Sequence, residues 1–206
     1  MTEADNLKNS LVDAYGKPSV ALRVLREYIM GKTIFDRAFK TFVKRWAFKH
    51  PTPTDFFRTM EDASGMDLDW FWREWFYEQD HVDVELTFVK YFSVENENST
   101  LASNVNIIST AIYRADQKEK LKQTPFLYSL TFTNKGGLVT PIQLQFQFQD
   151  ETTQMITIPV EIWRNQEKQF TKVFPMPQRI KAILIDPKNL SADVNRENNR
   201  WVEEKE

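Results

Sequence analysis

The stretch Leu68–Phe88, LDWFWREWFYEQDHVDVELTF, changes its hydrophobic period halfway along. Its first half carries Trp70, Phe71, Trp72, Trp75 and Phe76 at the spacing of an α-helix. From Val82 onward the apolar residues alternate with polar ones, at the period of a β-strand. The alternating apolar positions are Val82, Val84, Leu86 and Phe88. The stretch therefore predicts a helical region followed by β-structure, which is an α+β fold.

The helical region before this change reads as four helices. Their predicted start residues are Pro18, Thr33, Thr54 and Asp67, chosen as a first-turn proline or as side chains that cap a helix. Gly31 and Gly65 are predicted stops, because glycine commonly follows the last helical turn. The region is rich in large aromatic side chains, more than a small bundle would easily bury. Such an apolar load suggests a missing partner.

The region after the change reads as a series of strands separated by turns such as NKGG and RNQEK. The predicted strands are residues 82–88, 107–113, 126–132, 144–148, 155–163 and 180–185. Pro141 and Pro159 predict that their strands are edges or begin at bulges. Roughly seven strands without intervening helices favour an antiparallel, Ig-like β-sandwich. The predicted domains are 1–80 for the helical part, 81–187 for the sandwich and 188–206 for a polar, partly ordered tail.

Composition excludes several classes of function. The chain has 206 residues, with 27 Lys plus Arg against 29 Asp plus Glu and a formal net charge of -2. This balance gives no reason to expect nucleic acid as a partner, because nucleic-acid binders usually show a basic excess or stripe. The chain contains no cysteine, which excludes disulfides, a thiol nucleophile and a Cys-ligated metal site.

Nothing in the sequence as written resembles a signal peptide or a membrane span. The first ten residues, MTEADNLKNS, are polar and lack the apolar segment of a signal peptide. No apolar run approaches the length of a membrane span. The chain as written is therefore expected to be cytoplasmic, unless Met1 is not the natural start, and a parent protein could be periplasmic or exported.

Spacing alone yields no complete active site. His50 and His81 belong to no metal-binding motif, and a zinc site needs three or four convergent ligands, so no metal is expected in this chain. Asp67 and Asp69 are better explained as a helix cap and a first-turn acid. Tyr15, placed just before the first helix, could be an ordinary packing residue or could reach into a reaction site.

Three segments in order carry a resemblance to a known family. They are YGKPSVALRVLREYIMG at Tyr15–Gly31, IFDRAFKTFVKRWAFKHPTPTDFFRTMEDASG at Ile34–Gly65 and LDWFWREWFY at Leu68–Tyr77. They resemble the second half of the catalytic region of zinc aminopeptidases of the membrane-alanyl-aminopeptidase family, in the gluzincin group. The later segments ILIDP and NRENN resemble the β-sandwich that follows this region in many bacterial members.

The resemblance implies a role for Tyr15. In that family the tyrosine of the signature hydrogen-bonds the oxyanion that forms when zinc-bound water attacks the scissile carbonyl, and Tyr15 occupies its position. Lys17 also matches the signature and is expected to orient or support the site. Pro18 departs from the pattern, because the family has glycine there. The resemblance gives no substrate-binding residues in this chain.

The family's zinc ligands, HExxH and a later glutamate, belong upstream of this tyrosine and do not occur here. The resemblance therefore implies a C-terminal part of a zinc aminopeptidase, inactive alone, whose parent removes amino-terminal residues from peptides. Zinc would be the parent's cofactor, and a peptide would bind only if the zinc-bearing half were supplied. Two alternatives remain open: a non-enzymatic helical and β-sandwich module that binds protein or peptide, and one subunit of a split peptidase.

Overall fold

The structure is a computed structural model that describes residues 15–94, 106–108 and 123–203. It separates into two compact units. The helical unit contains the described residues up to Val82 together with Asn189–Asp193. The β unit contains Asp83–Lys188 and the described residues from Val194 onward. No helix among the described residues is long and apolar enough to span a lipid bilayer.

The helical unit contains the four predicted helices. Helix α1 spans Lys17–Val24 and continues as a π-helix over Leu25–Ile29; the others are α2 at Lys32–Trp46, α3 at Pro53–Ser64 and α4 at Asp69–Tyr77. The prediction that Thr33 caps α2 is wrong, because α2 begins at Lys32 with Gly31 as its N-cap. Gly31 has a φ of 78°, and its carbonyl accepts the N–H of Phe35 at 3.1 Å. Glycine at the turn thus starts α2 before Thr33 is reached.

Helix α3 begins two residues earlier than the sequence predicts. Its cap is Thr52 and not Thr54, because Thr52 and Asp55 form a capping box. The Thr52 N–H donates to Asp55 Oδ2 at 2.8 Å, and Pro53 occupies the first helical position. The predicted stop at Gly65 is confirmed: this residue has a φ of 72° and donates its N–H to the Glu61 carbonyl at 2.7 Å.

Helix α4 begins at Asp69 with Leu68 as its N-cap, so the predicted cap at Asp67 is displaced by one residue. Asp67 still supports the helix start, since its Oδ1 accepts the N–H of Asp69 at 3.2 Å. The aromatic run of α4 faces the core of the unit. The fully or nearly buried members are Phe71, Trp72 and Trp75.

Aromatic rings join α2, α3 and α4 into one core. Phe57 of α3 stacks on Trp72 of α4 with ring centroids 4.5 Å apart. Phe42 of α2 meets Phe56 of α3 edge-on at 5.0 Å. Aromatic contacts of this kind add to the stabilisation from buried area. The aromatic side chains that make the helical region unusually apolar in sequence therefore form much of its core.

Within its described residues the β unit contains eight strands in two four-stranded sheets. The strands are β1 Val84–Val94, β2 Asn106–Ile108, β3 Phe126–Asn134, β4 Ile142–Phe148, β5 Thr153–Ile158, β6 Gln169–Met176, β7 Ile180–Ile185 and β8 Arg200–Val202. The strand orders are β2-β1-β3-β6 and β5-β4-β7-β8. All pairs are antiparallel except β1 and β2, which run parallel. The predicted α+β class is confirmed.

The two sheets share a core of inward-facing side chains. Buried and half-buried positions alternate along β4, as expected for a strand with one covered face. Phe146 of β4 contacts Phe174 of β6 across the sheets, with ring centroids 5.5 Å apart. The buried hydroxyl of Tyr128 on β3 accepts the N–H of Ile180 at the start of β7 at 2.9 Å. Both apolar and polar contacts therefore link the two sheets.

Three strand assignments differ from the sequence prediction. The predicted strand at 155–163 is wrong beyond Ile158, because Pro159 is followed by a 3₁₀-helix at Val160–Trp163. Strand β6 was not predicted, since Lys172 opposite buried Leu130 interrupts its alternation. Strand β8 lies inside the region predicted as a polar tail and pairs with β7. The predicted residues 109–113 lie outside the described part of the chain.

The two prolines lie just outside strands. Pro159 directly follows β5, which is an edge strand as predicted. Pro141 directly precedes β4, which lies between β5 and β7 and is not an edge. Because Pro141 lies before the first paired residue, its missing N–H removes no hydrogen bond from the β4 ladder.

Candidate functional site

Tyr15 stands at the entrance to α1, with 71% of its surface exposed. The backbone is already helical at this point: Tyr15 and Gly16 have a π-type pattern, and Gly16, the N-cap, has φ -64° and ψ -63°. No described residue forms a hydrogen bond with the Tyr15 hydroxyl. The phenol is therefore an available donor on a helically ordered backbone, which differs from a packed core tyrosine.

The start of α1 is tied to the end of α4. The ammonium group of Lys17 donates to the carbonyl oxygen of Glu78 at 2.6 Å. Glu78 is the C-cap of α4, where carbonyls lack helical partners and the helix dipole is negative, so a cation is favoured. The contact thus links the first turn of α1, two residues after Tyr15, to the end of α4.

Local contacts and sequence shape the first turn of α1. The first turn of α1 contains no acidic residue, and Pro18 at the second helical position contributes no N–H. Ser19 also donates its hydroxyl to the Gly16 carbonyl at 2.8 Å, which holds the turn in place. An exposed phenol at this position can donate a hydrogen bond to an oxygen that is becoming negative.

The described residues do not supply a zinc site. No three His, Asp or Glu side chains within the described ranges lie together in a way that could hold a metal. His50 and His81 are both exposed. The residues of the described part therefore do not fit the zinc of the aminopeptidases that the sequence resembles, and no catalytic step can be assigned to a metal held by them.

Sequence reasoning missed the acceptor of Lys17 and the role of Glu61. The Glu61 carboxylate accepts the N–H of Leu68 at 2.9 Å and so closes the loop between α3 and α4. Burial raises the pKa of Glu61. No sequence pattern predicts either contact. The Lys17 contact joins a side chain to a carbonyl far along the chain, and the Glu61 contact crosses an irregular loop.

Comparison with known proteins defines the fold. No family model and no curated protein matches the chain. A solved structure, Legionella pneumophila aminopeptidase A in complex with aspartic acid, is similar with a TM-score of 0.50 and 17% sequence identity. The similarity covers 90% of this chain and 18% of that chain. The chain therefore has a fold like part of an aminopeptidase and spans less than a fifth of its length.

Proposed function

We propose that this chain is the C-terminal, oxyanion-stabilising part of a zinc aminopeptidase whose metal-bearing part is another polypeptide region. In this proposal the parent releases amino-terminal residues from peptides, and this chain alone does not. The observation that carries the proposal is the exposed hydroxyl of Tyr15, which has no hydrogen-bond partner among the described residues and precedes a helical turn anchored by Lys17. The similarity to part of an aminopeptidase supports the proposal at the level of fold.

The chemical task of Tyr15 is hydrogen-bond donation in the transition state. When a nucleophile attacks the scissile carbonyl, its oxygen becomes an oxyanion, and a fixed O–H donor stabilises that charge more than it stabilises the substrate. Loss of one such donor commonly lowers kcat about 10²–10³-fold. Zinc held elsewhere would supply the activated water. Lys17 and Ser19 would keep the donor in position and take no part in proton transfer.

The experiment compares Tyr15→Phe with the wild type in the presence of the metal-bearing part. That part is an HExxH-bearing polypeptide, encoded either in frame upstream or by a neighbouring gene, supplied separately or fused to this chain. Hydrolysis of amino-acid anilides is the assay. We expect kcat to fall about 10²–10³-fold with little change in KM, because only the transition-state donor is removed.

Tyr77→Phe is the matched control, because Tyr77 is also an exposed tyrosine of the helical unit, at 52%. We expect it to keep wild-type turnover. Equal kcat values for wild type and Tyr15→Phe would contradict the proposed role of Tyr15. Absence of zinc-dependent hydrolysis in the fused wild type would contradict the proposed function as a whole.

A non-enzymatic binding module is the second candidate. The observation that favours it is that the described residues contain no grouping of metal ligands. The same experiment separates the two candidates. A binding module would hydrolyse no anilide, whether the HExxH-bearing polypeptide is supplied separately or fused to this chain.

A further inference from the structure

Strand β5 is a sheet edge that lacks the features by which proteins usually protect an edge. Its sequence, TQMITI, contains no charged residue, proline or glycine, and its register with β4 has no shift. Charges, prolines and bulges are the common devices that prevent an edge from pairing with a further strand. On the side away from β4, no described strand pairs with β5.

The other edges among the described strands are short or interrupted. Strands β2 and β8 have three residues each. Strand β6 is longer, with eight residues, but it carries exposed Lys172 and exposed Pro175. Among the described edges, β5 therefore combines length with an uncharged and regular backbone.

The hydrogen bonds of the β4–β5 hairpin show which backbone groups of β5 face outward. The Phe148 N–H donates to the Thr152 carbonyl at 2.9 Å, and hydrogen-bonded pairs alternate with non-hydrogen-bonded pairs along an antiparallel ladder. The next hydrogen-bonded residues of β5 are Gln154, Ile156 and Ile158. The residues between them, whose N–H and C=O groups point away from β4, are Thr153, Met155 and Thr157.

The side chains beside this outward edge carry no charge. Met155 is 48% exposed, and the exposed Thr153 and Thr157 flank it on the same face of the strand. Their partners on β4 are all glutamines. Glu151, just before the strand, already contacts the ammonium group of Lys181. The formal net charge of the chain is only -2, so two copies repel each other weakly.

We propose that β5 pairs antiparallel with β5 of a second copy of this chain, across a two-fold axis at Met155. In this register Thr153 of one copy lies opposite Thr157 of the other, and each outward N–H meets a carbonyl, in about six hydrogen bonds. The two β5-β4-β7-β8 sheets then form one continuous sheet. This inference is independent of the proposed function.

A second copy is favoured as the occupant because the edge complements itself. An uncharged strand places no like charges opposite each other when it pairs with its own copy. A two-fold contact also uses the same edge of both chains and closes after two copies, so it does not propagate into a fibre. The edge has only six residues, so we expect a weak dimer, with a Kd of about 10–100 μM.

Cysteine cross-linking tests the register directly, because the chain contains no cysteine of its own. In Met155→Cys the two thiols would lie in a hydrogen-bonded pair with Cα atoms about 5.5 Å apart, a separation that a disulfide spans. We expect oxidation with copper–phenanthroline in air to give a covalent dimer on a non-reducing gel.

Two further cysteine variants are matched controls for this cross-link. Thr153→Cys and Thr157→Cys should each remain monomeric when oxidised alone, because four residues of strand, about 13 Å, separate each thiol from its own counterpart. A mixture of the two variants should cross-link, since the register places these positions opposite each other. Efficient cross-linking of Thr153→Cys alone would contradict the register.

Sedimentation equilibrium measures the association without a covalent bond. Met155→Lys places two like charges at the axis and should weaken dimerisation at least about tenfold. Val173→Lys is the control, because Val173 is a similarly exposed residue, at 55%, on the edge strand β6. It should dimerise like the wild type. Circular dichroism and the Tm check that both variants keep the fold.

Several results would overturn the inference. One is a wild type that stays monomeric up to its solubility limit, and another is equal weakening of the dimer by Met155→Lys and Val173→Lys. A monomeric wild type that binds a synthetic Thr-Val repeat peptide, in a way that Met155→Lys abolishes, would assign the edge to a peptide strand and not to a second copy. Loss of dimerisation in Met155→Lys alone, together with the expected set of cross-links, would support the inference.

Discussion

The aromatic side chains of the two units are used in different ways. In the β unit the buried Trp163 donates its indole N–H to the Thr140 carbonyl at 2.9 Å, and the hydroxyl of buried Tyr128 is paired with Ile180. In the helical unit Tyr15 and Phe48 are exposed. The β unit thus satisfies its own aromatic groups, whereas the helical unit leaves groups available for other molecules. Stability is expected to depend on the first set and function on the second.

The largest expected effect is on the core of the β unit. Phe146→Ala should lower the free energy of unfolding by about 3–5 kcal/mol, because Phe146 is fully buried and its loss leaves a cavity against Phe174. Phe39→Ala on α2 should cost only about 1–2 kcal/mol, since its ring is already 39% exposed. Urea denaturation followed by circular dichroism measures both changes. Equal losses of unfolding free energy in the two variants would contradict the expectation that stability depends more on the buried aromatic residues of the β unit than on the exposed ones of the helical unit.

The next effect concerns the buried phenol. Tyr128→Phe keeps the ring but removes the acceptor of the Ile180 N–H, which leaves a buried donor unpaired. We expect a loss of about 1–3 kcal/mol in the free energy of unfolding. The control is Tyr91→Phe, whose hydroxyl accepts from Arg179 at an exposed position and should matter less. A Tyr128 variant as stable as the wild type would contradict the role given to this hydrogen bond.

Alkaline pH provides an independent check on Tyr128. Burial raises the pKa of Tyr128 to about 12, whereas an unfolded tyrosine titrates near 10. The unfolded chain therefore loses this proton first, so the stabilisation is full below pH ~10 and is lost as the pH rises toward ~12. The Tyr128→Phe variant lacks this loss. The difference in unfolding free energy between wild type and variant should accordingly narrow over that range of pH.

The capping box of α3 shows what sequence reasoning could and could not locate. Thr52→Ala should cost about 1 kcal/mol, because it removes the side-chain acceptor of the Asp55 N–H. Thr54→Ala, at the residue chosen from the sequence, should cost less than half of that. Thermal denaturation compares the two variants. The opposite ranking would restore Thr54 as the cap.

Local chemistry explains which parts of the fold could be predicted. Gly65 was found correctly, because a left-handed helix end has a strong residue preference. The cap of α3 was misplaced because the segment PTPT offers two threonines in similar settings, and only the partnership with Asp55 distinguishes them. Strand β6 was missed because Lys172 interrupts the alternation of its apolar residues; in the structure Lys172 is exposed, with its ammonium 6.0 Å from the Phe174 ring centroid. The cap of α3 and strand β6 both depend on contacts between residues, and the hydrophobic period of the sequence gives no information about those contacts.

The candidate site was predictable only in part. Tyr15 was selected through the resemblance to a family and not through spacing, since an isolated tyrosine before a helix carries no chemical signal. The contact of Lys17 with Glu78 depends on how α1 and α4 pack, which no local pattern encodes. Phe48 entered only as part of a segment of the resemblance, and its positive φ is a backbone angle that a sequence does not display.

The smallest expected effect on stability is that of Tyr15→Phe, and it tests most directly whether the exposed aromatic groups of the helical unit serve function and not stability. Tyr15→Phe should change the free energy of unfolding by less than about 0.5 kcal/mol, because the hydroxyl has no described partner and the side chain is 71% exposed. The measurement is a denaturation curve beside that of Tyr128→Phe, in which the same chemical change is made in a buried phenol. If Tyr15→Phe were as destabilising as Tyr128→Phe, its hydroxyl would be part of the folded structure. A free donor predicts a large loss of turnover in the reconstituted peptidase together with almost no loss of stability, and a packing tyrosine predicts the opposite pair of results.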